Sequence, residues 1–387
     1  MQTPERNRGI GAARRRGNLK LPMRCWIEVS RGRVRANYEA VSRLTGRSIE
    51  ICPVVKADAY GHGAVEVSRV LLAAGARWLA VSSVEEGVAL RETGIAEGRI
   101  LVMADRPSAE LATHGLTPAI HDLADLDLLT APCDYHLKID SGLGRLGTRA
   151  AAGEIVAAVA RAAARGVRLE GLMTHLAAAS DYESGQTEAQ LARFESILAA
   201  LPEKPQFVHT SATAPVAYSR RRAWQTMVRP GHAIYGYVSP VVRGAEFALA
   251  CQLDVRPALA WKARILVVKE IPAGEPIGYG AMARSKRATR IGVVSAGYAD
   301  GIPHRLGNKG SVIAGGRIVP MLGAVSMDVS TIDLTDAPQV RAGDVVTLLG
   351  EEGEARIDAQ QIARLAGTIS YSVLCGISAR VAHVYVD

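Results

Sequence analysis

The sequence predicts a (β/α)8 TIM-type barrel followed by a C-terminal, mainly β domain. Three observations predict it. Short apolar runs alternate with amphipathic or alanine-rich stretches from about residue 50 to 236, the rhythm of repeated βα units. Polar and glycine-rich residues fall just after the apolar runs, where a barrel places its C-terminal rim. After about residue 250 the texture changes to short β-like runs separated by glycine turns, as in a separate sheet domain. An open doubly wound sheet is the main alternative, and it lacks support because no Gly-x-Gly-x-x-Gly follows the first strand.

The elements follow in order. Residues 1–24 hold seven bases (Arg6, Arg8, Arg14, Arg15, Arg16, Lys20 and Arg24) and one acid, Glu5. They carry a net +6 of the chain's formal +8, which leaves +2 for everything after them. Such basicity reads as a solvated, disordered tail rather than a binding face, so neither nucleic acid nor membrane is an expected partner. The barrel domain is expected over residues 25–248. Its first strand candidate, 25–29, is left open to pair with the C-terminal domain, 249–387. Barrel strands are expected at 51–55, 78–82, 100–103, 118–120, 135–139, 169–173, 207–209 and 227–228, with the clearest helices at 63–74, 150–164 and 188–200. The β domain reads as strands at 263–268, 290–295, 311–313, 317–321 and 344–349 and a helix at 358–366.

Composition narrows the class. At 387 residues and 48% hydrophobic, the chain can bury a large core without disulfides. Cys25, Cys52, Cys133, Cys251 and Cys375 are scattered, with no CxxC pair and no His/Cys cluster. No metal site or disulfide framework is expected, and the spread suits a reducing, cytoplasmic compartment. No apolar run reaches signal-peptide or membrane-spanning length.

Five residue clusters fall on the expected rim: 56–60, 140–145, 174–175, 210–213 and 229–232. The first is the most telling. A buried strand runs straight into Lys56, a position that favours a lowered amine pKa and a nucleophilic lysine. Tyr60 lies four residues on, so a helix starting at Lys56 would turn both to one side. From this segment alone, a surface lysine at a strand end is an equally good reading.

The segments 55–63 (VKADAYGHG), 138–147 (KIDSGLGRLG), 229–231 (RPG), 297–301 (GYADG), 326–328 (SMD) and 369–371 (ISY) occur in the order found in alanine racemases, and from residue 25 onward the chain resembles that family. The resemblance implies a fold-type III enzyme using pyridoxal 5′-phosphate to racemise alanine, and a head-to-tail homodimer whose active sites draw on both chains. It implies that Lys56 is the Schiff-base lysine and one of two bases, that Tyr298 is the opposing base, and that His175 assists it. Arg229 matches the arginine facing the cofactor's pyridine nitrogen. An arginine does not give up its proton, so that nitrogen stays unprotonated and transamination is suppressed. Tyr60, Thr213, Gly231, His232 and Tyr371 match cofactor-binding positions. Arg145 and Met327 match contacts to the substrate carboxylate, Lys138 a lysine that many relatives carbamylate, and Asp328 an acid at the entrance. D-alanine for cell-wall peptidoglycan is the implied use.

The pattern departs from the family at four places. Ala212 stands where an asparagine is frequent, His232 where an aliphatic residue is common, Ser326 for a frequent cysteine and Ser370 for a frequent asparagine. None removes a catalytic group, but each bears on cofactor affinity or substrate breadth. The alternatives are a broader amino-acid (serine) racemase, a fold-type III decarboxylase and a non-catalytic PLP-binding protein. Arg229 argues against the decarboxylase, because such enzymes place an acid there. The C-terminal domain argues against the non-catalytic protein.

Overall fold

The computed structural model describes residues 23–241 and 250–387. The tail lies outside the described residues except for its last two positions, as does the expected domain boundary near 248. Arg24, counted with the tail on charge, is in fact anchored. Its guanidinium donates to Asp300 Oδ1 at 2.5 Å and to the Ser295 carbonyl at 2.8 Å.

Parallel strands form the first layer: β2 (Glu50–Ile51), β3 (Trp78–Val81), β4 (Arg99–Val102), β5 (Leu116–Ile120), β6 (Cys133–Lys138), β7 (Val167–Met173), β8 (Phe207–His209) and β9 (Met227–Val228). Neighbours pair in sequence order from β3 to β8. The ring closes through β2 with β9 and through a Val54–Ala80 bridge. On the other side, the Thr226 amide donates to the Val208 carbonyl. Leu79, Ile100, Leu101, Ile120 and Leu137 are buried in this layer. Its strands read as unbroken apolar runs because both faces are covered. The helices Ala64–Ala73, Val84–Glu92, Ala152–Ala163 and Gln186–Ala200 alternate with the strands.

The chain's first strand, β1 (Cys25–Ser30), is not in that ring. It pairs antiparallel with β10 (Leu259–Ile271) and parallel with the last strand, Ala382–Val386. Between them the C-terminal domain adds β11 (Pro276–Ile277), β12 (Ala283–Arg284), β13 (Thr289–Val294), β14 (Ser311–Ala314), β15 (Arg317–Leu322), β16 (Ser330–Asp333), β17 (Val345–Glu352), β18 (Ala355–Ile357) and finally β19, the Ala382–Val386 strand. The sheet order β17-β14-β15-β16-β13-β10, with β10 also paired to β17, closes a second, antiparallel ring. Strand β10 is long enough to serve three partners: residues 259–263 pair with β1, 261–264 with β17 and 265–271 with β13. The helix Ser370–Cys375 leaves this domain and packs on residues 56–61.

One local expectation fails. The segment Lys56–Gly61 is helical in hydrogen bonding, but Ala57, Asp58, Ala59 and Tyr60 all have φ between +51° and +55°. The turn is therefore left-handed, at a cost of about 1–2 kcal/mol for each L-residue. Tertiary partners hold it. The Glu86 carboxylate accepts the Ala57 and Ser82 amides at 2.6 and 2.7 Å, and Asp58 accepts the Ala64 amide at 2.7 Å.

Candidate active site

A cavity of about 700 Å3 opens at the C-terminal ends of the parallel strands. Lys56, Ala57 and Tyr60 enter from the left-handed turn after β2, Lys138 from the end of β6, and Arg145 from the loop that follows. His175 enters after β7, Ala212 and Thr213 after β8, and Arg229, Gly231 and His232 after β9. The C-terminal domain contributes Ile369, Tyr371 and Cys375.

The wall is strongly cationic. Burial first, and then the charge of Arg145, lowers the Lys56 amine below its ordinary value, against the opposing pull of Glu86 and Cys375. Lys138 is brought down to about 8 by burial, with Arg229, Arg145 and Lys56 adding to it. His175 falls to about 3 from burial and the same group of cations, so its imidazole is neutral. Arg229 is almost wholly buried and drops to about 10, still charged near neutrality. It donates to His209 Nδ1 at 2.6 Å and to the Thr174 carbonyl at 2.7 Å.

The loop bearing Arg145 is shaped by Asp140. One carboxylate oxygen accepts the amides of Gly142, Leu143 and Gly144 at 3.0–3.1 Å, and the other accepts Arg149 Nε at 2.8 Å. Burial alone would raise this acid. Arg149 and the amides outweigh it and hold the carboxyl at about 2.

The same cavity is lined by the hydroxyl-bearing Tyr60, Thr213 and Tyr371 and the bare backbone of Gly231. A Cβ on Gly231 would stand 2.5 Å from Tyr60 Oη. This cradle is the kind that phosphate oxygens use. An amine with a lowered pKa, a hydroxyl-lined cradle and a buried arginine in one cavity of this size suit pyridoxal 5′-phosphate. His232 replaces an aliphatic residue by stacking its ring on Tyr371, centroids 4.0 Å apart, while its Nε2 meets Ser370 Oγ at 3.2 Å. Two of the departures noted in the sequence thus contact each other.

Three expected site residues are elsewhere. Tyr298 and Met327 are 44% and 53% exposed and lie outside this cavity, and Asp328 lies beside Met327. His175, which the resemblance has assist Tyr298, lines the cavity without it. The three are nonetheless fixed as a unit. The amides of Tyr298 and Ala299 donate to the carbonyls of Ser326 and Met327 at 2.9 Å. Asp300, 1% exposed, is clasped by Arg24 and by Arg380, at 2.5 and 2.7 Å. Arg380 also bonds Asp328 at 2.6 Å. Sequence reasoning missed Glu86, Arg24, Arg380 and His209, since no local spacing links them to their partners.

Among the described residues no cluster of His, Cys, Asp and Glu could hold a metal ion. No helix there is long and apolar enough to cross a membrane.

Comparison with known proteins adds the following. The family model for the alanine racemase N-terminal domain matches residues 29–240, and that for the C-terminal domain matches residues 258–385. An alanine racemase of Halothermothrix orenii is 36% identical, over 95% of this chain and 98% of its own length. One of Symbiobacterium thermophilum is 38% identical, over 93% and 96%. The crystal structure of alanine racemase from D-cycloserine-producing Streptomyces lavendulae superimposes with a TM-score of 0.86 at 32% identity, covering 95% of this chain and 98% of that one. A Bartonella henselae alanine racemase with covalently bound pyridoxal phosphate gives 0.83 at 25% identity, over 94% and 100%.

Proposed function

The chain belongs to the alanine racemase family, and from that premise we propose how its residues interconvert L- and D-alanine with pyridoxal 5′-phosphate. The observation that carries the reading is one cavity lined by Lys56, Arg145, His175 and Arg229 together with the Tyr60–Thr213–Gly231–Tyr371 cradle. Lys56 is the residue that would hold the cofactor's aldehyde, the cradle its phosphate, and Arg229 its ring nitrogen. When bound, the cofactor withdraws electrons from the substrate's Cα and so acidifies the α-proton. The chain's own groups do the rest. Arg145 orients the substrate carboxylate. The amine of Lys56, already lowered by burial and Arg145, accepts or returns the proton on one face.

The opposite face needs a second base, and this chain's own Tyr298 lies outside its own cavity. We assign that role to Tyr298 of a second copy, with Met327 of that copy on the carboxylate. The exposure of both residues on a rigid, ion-paired edge supports a homodimer with shared sites. We assign His175, a neutral imidazole on the cavity wall, to hydrogen-bond that tyrosine's hydroxyl and hold it in position. D-alanine made in this way would supply cell-wall peptidoglycan from a cytoplasmic enzyme, a location that suits the unpaired cysteines. The test is L-alanine with pyridoxal 5′-phosphate in deuterated water. The expected product is D-alanine carrying deuterium at Cα, and no exchange with the cofactor firmly bound overturns the reading.

A further inference from the structure

Beneath Arg229 a line of polar side chains descends through the inside of the barrel. Arg229, His209, His136 and Glu170 are 3%, 0%, 0% and 3% exposed. Arg229 lies 2.6 Å from His209 Nδ1, and His209 Nε2 lies 2.8 Å from His136 Nδ1. His136 Nε2 faces Glu170 Oε2 at 3.6 Å, a charge–dipole approach longer than a hydrogen bond. The other Glu170 oxygen bonds Arg99. Arg99 begins β4, at the mouth opposite the cavity, where it also bonds Thr117 and lies over the Trp78 ring at 4.1 Å.

The groups at the two ends agree on the direction of this line. Arginine has donors only, so His209 Nδ1 must accept. A neutral imidazole has one N–H, so the His209 proton is on Nε2 and donates to His136 Nδ1. The His136 proton is then on Nε2, pointing at the carboxylate. Burial, aided by the Arg229 charge, holds both imidazoles below their ordinary value, with Glu170 pulling His136 the other way. Each ring therefore carries a single proton.

We propose that His136 and Glu170 are positioning residues for Arg229, the carboxylate holding from the far end the proton order that Arg229 requires at the near end. Reversing the line would set His209 Nδ1–H against an Arg229 N–H at 2.6 Å, two buried donors facing each other. Arg229 would leave its place in the cavity wall. The catalytic consequence rests on the reading that Arg229 faces the cofactor's ring nitrogen. The tautomers do not depend on that reading.

The first experiment is nitrogen NMR of histidine-labelled protein, with and without cofactor. Both histidines should be Nε2–H tautomers near neutral pH. An Nδ1–H tautomer or an imidazolium at either position overturns the proposal. The second is Glu170→Gln, which keeps the shape but lets the amide donate to His136 Nε2. The His209 signals should shift toward the other tautomer. The ratio of pyruvate, the transamination product, to D-alanine should rise roughly tenfold, with KM for alanine little changed. Unaltered tautomers and an unaltered ratio in a folded variant overturn the proposal, and if the variant does not fold, the unsubstituted protein decides it. Failure of the unsubstituted protein to racemise alanine would count against the reading of the site and leave the tautomer result standing.

Discussion

Two inactive variants of this enzyme should restore activity to each other. Lys56→Ala removes the cofactor anchor, and Tyr298→Phe removes only a hydroxyl from an exposed ring on the C-terminal domain. Within one chain these positions do not share a cavity, and the Tyr298 turn is bonded to the Met327 loop rather than to anything near Lys56. In a head-to-tail dimer each site takes Lys56 from one copy and Tyr298 from the other. A mixed dimer then has one site with both lesions and one with neither. Random exchange of equal amounts puts about half the subunit pairs into mixed dimers, so about a quarter of all sites are intact. The assay is D-alanine formation after the two purified variants are mixed under conditions that allow subunit exchange. Recovery should approach a quarter of the wild-type rate and scale with the product of the two fractions. Activity no greater than the sum of the separate variants, despite demonstrated exchange, would refute the shared site.

Other perturbations test other parts of the reasoning. Ala57 is exposed with φ +51°, so Ala57→Gly should relieve about 1–2 kcal/mol of left-handed strain against about 0.4–1 kcal/mol of added unfolded-state entropy. The net gain of about 1 kcal/mol should appear as a higher denaturant midpoint, and a lower one would show that the turn is unstrained. Gly231→Ala places a Cβ 2.5 Å from the Tyr60 hydroxyl. Tyr60 is packed on Tyr235 and Tyr371, with ring centroids 4.8 and 5.8 Å away, and cannot retreat freely. Cofactor affinity, read by absorbance titration, should fall by an amount corresponding to about 1–3 kcal/mol, and unchanged affinity would move the phosphate elsewhere. Lys138, at about 8, is neutral above that pH and therefore able to react with carbon dioxide. A carbamate signal from labelled bicarbonate should fade as pH drops through about 8 and vanish in Lys138→Ala. In the cofactor-free protein, stability should rise between about 8 and 10.5, where the unfolded lysine still holds the proton the folded one has lost.

Most of the barrel was legible because its strands are short, apolar and regularly interrupted, and the rim residues follow the strand ends by construction. Strand β19 and the helix at 370–375 were not legible. One is a half-exposed strand and the other a single short turn of serine, tyrosine and valine, so neither has a strong period. The left-handed turn was invisible too. Its residues 57–60 contain no glycine, and what selects the hand is Glu86, some thirty positions away and with no spacing signal of its own. The line from Arg229 to Glu170 joins residues on separate strands that only the barrel brings together. The single hint available was a glutamate set in the middle of an apolar run at 169–173. Tyr298 was found by motif alone. No property of residues 297–301 distinguishes a base from a turn, and the fold places it where a second chain is needed to give it a role.

The pairing of β1 with β10 and β19 also fixes an order of events during synthesis. When residues 25–30 leave the ribosome, neither neighbouring strand exists. One partner is more than two hundred residues away and the other ends at residue 386. The barrel strands can close sooner, since each pairs mostly with the next. The opening strand must wait for the whole chain, a long-range closure that is slow by nature. Until then its apolar face, Cys25, Ile27 and Val29, is open to chaperones and to other nascent chains. A fragment ending before residue 259 would keep that face uncovered, so the two domains are separable in outline but not in biogenesis.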